Sequence, residues 1–429
     1  MVLNGEELSK KLPEVLAGRL DLPVKELWEL LYYINCFIHN PDGKEDQKYA
    51  KDGMALFKML LHKADQDDDD EMDIVLEALY EILGRYAEPF AVLDQLEEEG
   101  ISFIETRYYK GKLTTIRDFL LEERFSVSLV DKMAQMGVDL NQAFVKGRTP
   151  ALLLAYRGSG YEYSNIRRKN EMDEAYADVV ERYFSVESME ALDMEGRSAA
   201  HWAVRRYKYE MFTAMIKKGV NINLTEDQPS VAGNTLLHTA CEYGFPDMIH
   251  FLMDAGADDT LKNVNEETAA HIAVSKKISF KKISETVRAE MVEALRNIDI
   301  PGKNGMTPLM IAQDYDLHAA NVLTPVFIKK GADVNQVNHS GDTALLLHMR
   351  WRCDKSVIKA MVEAGYHINT RNKLGDTVLH YAMKNRSSEM VRYLLKKGAD
   401  YTIANEKQVT PLEIAVEQGM DEVLPFMGL

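Results

Sequence analysis

Four histidines recur in one setting: Ser198-Ala199-Ala200-His201, Thr235-Leu236-Leu237-His238, Thr268-Ala269-Ala270-His271 and Thr377-Val378-Leu379-His380. Imidazole is the commonest protein metal ligand, so metal binding is the first chemistry to test. Each ring stands three residues after a hydroxyl residue, which marks one position repeated along the chain. Stacked helical units sit about 10 Å apart, one helix diameter. The four rings therefore cannot share one ion, and they read as structural histidines bonding loop backbone. His238 and Cys241 lie three apart on one helix but belong to the same pattern.

Two further motifs fail on their own chemistry. Asp65-Gln66-Asp67-Asp68-Asp69-Asp70-Glu71 offers alternating carboxylates for calcium. Its sixth position is Asp70 where the sharp turn needs Gly, and its twelfth is Leu76 where a bidentate Glu is needed. The run reads as a solvated loop whose last acids favour the start of the next helix. Gly111-Lys112 followed by Thr114 resembles half a phosphate loop, but Thr106 stands where its leading Gly belongs. There is no nucleophile–base pair, Gly-rich cradle or supported carboxylate pair, so the expectation is no enzyme, no metal and no cofactor.

The elements that position these residues are short helices. Gly375-Asp376-Thr377-Val378-Leu379-His380-Tyr381-Ala382 combines a Gly able to turn at positive φ, a capping Thr and a small-residue helix face. Val391, Leu394 and Leu395 mark the inner face of a second helix, which Gly398 ends. Thirty-three residues on from Thr377, Thr410-Pro411-Leu412-Glu413-Ile414-Ala415 repeats the start, with Pro at the first helical position. One helix pair cannot bury both its faces, so such units must stack.

Equivalent starts stand at Gly147-Arg148-Thr149-Pro150, Gly196-Arg197-Ser198, Gly233-Asn234-Thr235, Glu267-Thr268, Gly305-Met306-Thr307-Pro308 and Gly341-Asp342-Thr343. Closers include Gly137-Val138-Asp139-Leu140-Asn141, Gly219-Val220-Asn221-Ile222-Asn223, Gly256-Ala257-Asp258, Gly331-Ala332-Asp333-Val334-Asn335 and Gly365-Tyr366-His367-Ile368-Asn369. At this period the pattern resembles the ankyrin repeat. The resemblance is strong from about residue 145 to the end, weak over 89–144 and absent before that. The His position is Leu152, Met310, Leu346 and Glu413 in four units, where the hydrogen bond to the next unit is expected to be lost.

The resemblance implies an all-α solenoid of about eight to nine repeats over residues 89–429. Residues 1–88 are then a helical N-terminal cap or small domain. Helices are expected over Val24–Phe37, Met54–Leu61 and Ile74–Leu83, and a repeat end at Val92–Ser102 with the next start at Lys112–Leu120. Spacings between capping residues place insertions near Tyr161–Asp178 (with Arg167-Arg168-Lys169), Thr225–Ala232 and Lys276–Arg288. Such loops are frequent carriers of function.

In the ankyrin family the two residues after the Ala pair of each unit line a concave groove. Carried over, these include Tyr156 and Arg157, Arg205 and Arg206, Tyr243, Lys276, Tyr315, Arg350 and Trp351, and Lys384, with Arg148 and Arg197 beside them. Arg, Tyr and Trp are enriched at binding hot spots. The implied ligand is an acidic segment or phosphate-bearing group held by guanidinium forks. Local pairing with the chain's own Asp and Glu is the competing reading. The turn tips Glu195, Asn265, Lys303, Asn304, His339, Lys373 and Glu406 are the rival contact set.

A net charge of −17 over 429 residues argues against general attraction to nucleic acid or anionic membrane. Cys36, Cys241 and Cys353 are odd in number and unpaired in spacing, as expected for reduced thiols. The N-terminus lacks a basic stretch followed by an apolar core, and no apolar run reaches about 20 residues, so a cytoplasmic protein is expected. The expected function is non-catalytic binding of a protein partner by a monomer, as an inhibitor, immunity-type or host-directed binder. The alternative is a scaffold whose first 88 residues carry an effector or oligomerising activity.

Overall fold

The computed structural model describes residues 5–37, 46–64, 68–85, 89–98, 100, 103, 107–109, 112–123, 125–143, 148–156, 166–227, 232–275, 283–315, 317–351 and 354–428. The chain divides into two compact units, Met1–Val220 and Asn221–Leu429.

The first unit opens with α1 (Gly5–Leu16), α2 (Val24–Phe37), α3 (Asp46–Lys63) and α4 (Asp69–Arg85). Leu27, Leu30 and Leu31 of α2 are buried against α3 and α4, as their spacing requires. Leu56, Phe57, Leu60 and Leu61 answer from α3, and Met72, Val75, Leu76 and Leu79 from α4. Each such side chain contributes about 1.5–3 kcal/mol of burial. The Asp68 carboxylate caps α4, accepting the Asp70 and Glu71 N–H groups at 2.9 and 3.2 Å. Residues 65–67 of the acidic run and Gly111 lie outside the described residues.

α5 (Pro89–Glu98) is followed by an antiparallel hairpin, β1 (Arg107–Tyr109) and β2 (Lys112–Thr114), with Tyr108 opposite Leu113. This hairpin lies at the expected repeat start, Lys112–Leu120. The capping residue is Thr115, whose hydroxyl accepts the Asp118 N–H at 3.0 Å, and the helix follows as α6 (Ile116–Glu123). The fully buried Arg117 bonds Asp118 at 2.8 Å and the Asp139 carbonyl at 2.7 Å, tying α6 to the segment that follows α7 (Val127–Gln135).

Paired helices follow: α8 (Pro150–Tyr156) and α9 (Ile166–Tyr183), the short α10 (Val186–Glu190), then α11 (Ala199–Arg205) and α12 (Tyr209–Lys217). α8 packs on α11 and α9 on α12. The insertion near 161–178 extends α9 at its N-terminal side; the Arg167-Arg168-Lys169 side chains lie outside the described set.

The second unit repeats the pair as α13 (Leu236–Tyr243) and α14 (Pro246–Asp254), α15 (Ala269–Val274) and α16 (Glu285–Ala294), and α17 (Pro308–Tyr315) and α18 (Leu317–Lys329). Then come α19 (Ala344–Trp351) and α20 (Lys355–Glu363), α21 (Val378–Lys384) and α22 (Ser388–Lys396), and α23 (Pro411–Glu417) with a 3₁₀ segment, Asp421–Met427. The first helices stack in order: α13 on α15, α15 on α17, α17 on α19, α19 on α21 and α21 on α23.

Polar side chains join the repeats at fixed positions. The closing Asn141, Asn223, Asn335 and Asn369 accept the N–H groups of Ser185, Asp258, His367 and Asp400 at 2.7–2.9 Å. A basic side chain reaches back to the last carbonyls of the preceding outer helix: Lys218 to Val180, Arg296 to Met253, Lys330 to Glu293. Four orphan carbonyls end every helix, and these contacts satisfy some of them.

Candidate partner-binding faces

In the first unit the site is built on α8 and α11. Ser198 caps α11, and its own preceding turn is fixed by Asp193, whose carboxylate accepts the Glu195 and Arg197 N–H groups at 2.8 and 3.0 Å. The second Asp193 oxygen accepts the Trp202 indole N–H at 3.0 Å, which orients the ring. Packing of α8 on α11 sets Tyr156 edge-on to Trp202, with ring centroids 4.7 Å apart.

Guanidinium groups surround this aromatic pair. Arg206 lies 4.9 Å from the Tyr156 ring centre and 5.7 Å from that of Trp202. Arg197 and Arg205 stand 5.2 and 5.9 Å from Trp202, and Arg148 stands 6.0 Å from Tyr156. Arg197 also pairs with Glu195. Arg205 is buried, Arg197 and Arg206 are half-buried, and Arg148 and Tyr156 are exposed. Four of the expected residues, Tyr156, Arg197, Arg205 and Arg206, thus converge on Trp202, which the sequence reading did not select, and Arg148 joins through Tyr156. The signal was present: Trp202 and Arg206 are four apart on one helix face.

In the second unit the expected cations are tethered. Arg350 bonds Asp342 at 2.5 Å and Lys384 bonds Asp376 at 2.8 Å. Both acids precede the capping Thr of their own unit, and both are buried. Their other oxygens accept the Asn372 and Asn405 amides of the next repeat at 2.8 and 2.9 Å. Burial works against the Asp376 charge, yet the Lys384 and Asn405 hydrogen bonds hold its carboxyl below the usual value. Local pairing therefore describes Arg350 and Lys384. Trp351 projects with 74% of its surface exposed, and Tyr243 stacks on Phe245 at 6.1 Å. Arg157, Lys276 and the Tyr315 side chain lie outside the described residues.

The turn tips form their own main-chain ladder. His339 N–H donates to Asn304 O, Lys373 to Ser340 O and Glu406 to Leu374 O at 2.9–3.0 Å. Asn304 holds φ +59°, and the Asn265 N–H is taken by Asn263 at 2.9 Å. Glu195 pairs with Arg197, and Glu406 lies 3.7 Å from Arg371. Lys303 begins the 3₁₀ turn Lys303–Gly305. Apolar side chains project at the tips: Met194, Val264 and Leu374 are 75, 57 and 61% exposed.

Three of the four recurrent histidines are occupied by the stack. Nε2 of His238, His271 and His380 reaches the carbonyls of Glu267, Met306 and Val409 at 3.0–3.1 Å. At Glu413, which holds the His position, the carboxylate accepts the Thr410 N–H at 2.7 Å instead. Cys241 is a free, buried thiol whose pKa burial raises. No helix among the described residues is long and apolar enough to cross a membrane.

Stacked helix pairs joined by tip hairpins, with polar side chains bridging neighbours, define a repeat-built protein-interaction module. The matching repeats are ankyrin repeats: the family profile described as "Ankyrin repeats (3 copies)" matches residues 172–263, 200–295 and 347–427. The chain is 24% identical over 190 residues to the B-cell lymphoma 3 protein homolog of Mus musculus, covering 44% of this chain and 41% of that protein. It is 28% identical over 190 residues to the transient receptor potential cation channel subfamily A member 1 of Homo sapiens, covering 42% and 15%. The matched part is under half the length of each of these relatives. A similar solved structure is the ankyrin repeat domain of Bcl-3, at 22% identity and a TM-score of 0.43, covering 51% of this chain and 94% of that one.

Proposed function

We propose that the chain is a non-catalytic binder that occludes one protein partner through its repeat surfaces, in the cytoplasm. The observation that carries this reading is the cluster of Arg148, Arg197, Arg205 and Arg206 around the Tyr156–Trp202 pair. Large, rigid aromatic area beside stacked guanidinium groups is what energetic centres of interfaces contain. In the second unit Trp351 is the matching anchor. The surface is preformed, so little ordering opposes binding. Capture from source lysate by the intact chain, beside a bait carrying Tyr156→Ala, Arg206→Glu and Trp351→Ala with unchanged helicity, tests the reading. A partner retained equally by both baits defeats it.

A second reading concerns residues 1–88, which we take as a unit distinct from the repeats of 89–429. Helices α2–α4 bury Leu30, Phe57, Leu60 and Leu76 against one another, which favours a core of their own and hence a scaffold with a separate N-terminal activity. Expressed alone, a folded 1–88 that binds or reacts supports the scaffold. An unfolded one leaves these helices as a cap over the first repeat.

A further inference from the structure

From the geometry of Arg206 and Arg148 we infer that the Tyr156–Trp202 cluster is a receptor for an acidic segment of a protein partner, with one carboxylate on each guanidinium. This proposal rests on the reading of the repeats as a protein-binding surface and names what that surface takes.

The Arg206 guanidinium is held against two rings, 4.9 and 5.7 Å from their centres. Stacking of this kind restrains the plane of the fork before any ligand arrives. Its Nε is covered and has no hydrogen-bond partner among the described residues. The donors left for a ligand are therefore the two terminal nitrogens, a fork matched to the two oxygens of one carboxylate. Arg148 approaches the same Tyr156 ring at 6.0 Å and is exposed. The two guanidinium carbons are thus no farther apart than the sum of their distances to that ring centre.

Neither Arg206 nor Arg148 forms an ion pair with a described carboxylate, whereas Arg197, Arg350 and Lys384 do. Arg148 acts at longer range on the buried Asp118, so the positive charge left for a ligand centres on Arg206, on a chain of net charge −17. The acids at the rim sharpen the choice of ligand. Asp193 is engaged by Trp202, and Glu195 by Arg197, and both oppose a continuous polyanion crossing the cluster. A peptide with separated Glu or Asp residues satisfies the two forks and avoids the rim; a nucleic-acid backbone, with a charge on every residue, does not.

The test uses the full chain and a fluorescein-labelled peptide of alternating Glu and Ser, followed by anisotropy. A Gln-Ser peptide serves as the neutral control. The expected result is binding of the Glu-Ser peptide at least about tenfold tighter than the control, weakening with added salt. Arg206→Gln and Arg148→Gln each weaken it about tenfold. Arg206→Lys keeps the charge without the fork and retains only part of the affinity. Arg19→Gln, at a distant exposed pair with Glu14, leaves it unchanged. If Arg206→Gln does not fold, Arg148→Gln and Arg206→Lys decide. Equal binding of the two peptides overturns the proposal, as does affinity insensitive to these substitutions in folded variants. Tighter binding of an oligothymidylate than of the peptide also overturns it and makes the site a nucleic-acid contact. The broader reading fails separately: a protein partner held equally by the wild type and Arg206→Gln removes only the acidic receptor, while no partner at all removes both.

Discussion

The His238 Nε2 lies 3.0 Å from the main-chain carbonyl of Glu267, the residue before the capping Thr268 of the next repeat. Its Nδ1 accepts the Thr235 N–H at 3.2 Å, so the ring proton sits on Nε2 and is donated across the repeat boundary. One neutral imidazole thus caps its own helix and bonds the neighbouring unit. His238→Ala removes both bonds and leaves the Glu267 carbonyl with the Asn263 N–H alone. A loss of about 1–3 kcal/mol in urea or thermal unfolding is expected.

The same rings make stability depend on pH. Burial pushes His238, His271 and His380 below the ordinary imidazole value, against the raising effect of their carbonyl partners. A lowered folded pKa means that the unfolded chain takes up the protons first. The contribution of these residues is therefore complete above the ordinary value near pH 6.5 and is lost as pH falls from there through the folded values. Asp118 and Asp173 shift upward through burial and act oppositely, above the ordinary carboxylate range. The difference between wild type and His238→Gln isolates the histidine part: the stability gap is expected to narrow as pH drops from 7 to about 5. A constant gap refutes the assignment.

Backbone strain separates two equivalent tip positions. Gly375 holds φ +75°, and a Cβ there would stand 2.8 Å from Asn405 Cα and Glu406 N. Gln408 occupies the corresponding place one repeat later at φ +58°. Gly375→Ala is expected to destabilise by about 1–3 kcal/mol, whereas Gln408→Gly relieves the left-handed penalty and stabilises by about 0.5–1 kcal/mol. Thermal melts of the two variants should move in opposite directions.

The repeat architecture was legible because its signals are local. Thr235 and Thr410 cap helices, Gly398 ends one at φ +92°, and Val391 and Leu394 are buried on the face their spacing marks. The closing asparagines could be seen but not explained, since their bonds reach 31 to 44 residues ahead. The hairpin at Lys112 was missed because Thr114 and Thr115 both satisfy a cap pattern, and only the pairing of Leu113 with Tyr108 decides between them. At the candidate site, the sequence positions of Arg and aromatic residues carry no distances. Arg350 and Lys384 looked like Arg206 in sequence, and what separates them is the buried Asp342 and Asp376 within reach.

The Asp376 carboxylate joins two groups, and they are not equivalent. The buried carboxylate accepts from Asn405 of the next repeat and from the exposed Lys384. Asp376→Ala strands a buried amide and is expected to lose about 1–3 kcal/mol. Lys384→Gln removes one solvent-screened contact and is expected to change stability by less than about 1 kcal/mol. Comparable losses in the two melts would show that the ion pair, and not the bond to Asn405, holds this boundary.

Trp351 separates a binding role from a folding role. With 74% of its surface exposed at the end of α19, it contributes little to the core, and Trp351→Ser is expected to shift unfolding by no more than about 0.5 kcal/mol. A large exposed indole beside the tethered Arg350 has its use in contact with a partner, where loss of a hot-spot aromatic costs about 2 kcal/mol or more. Retained partner affinity in a Trp351→Ser chain that melts like wild type would exclude this end of α19 from the interface and confine recognition to the Trp202 cluster or the turn tips.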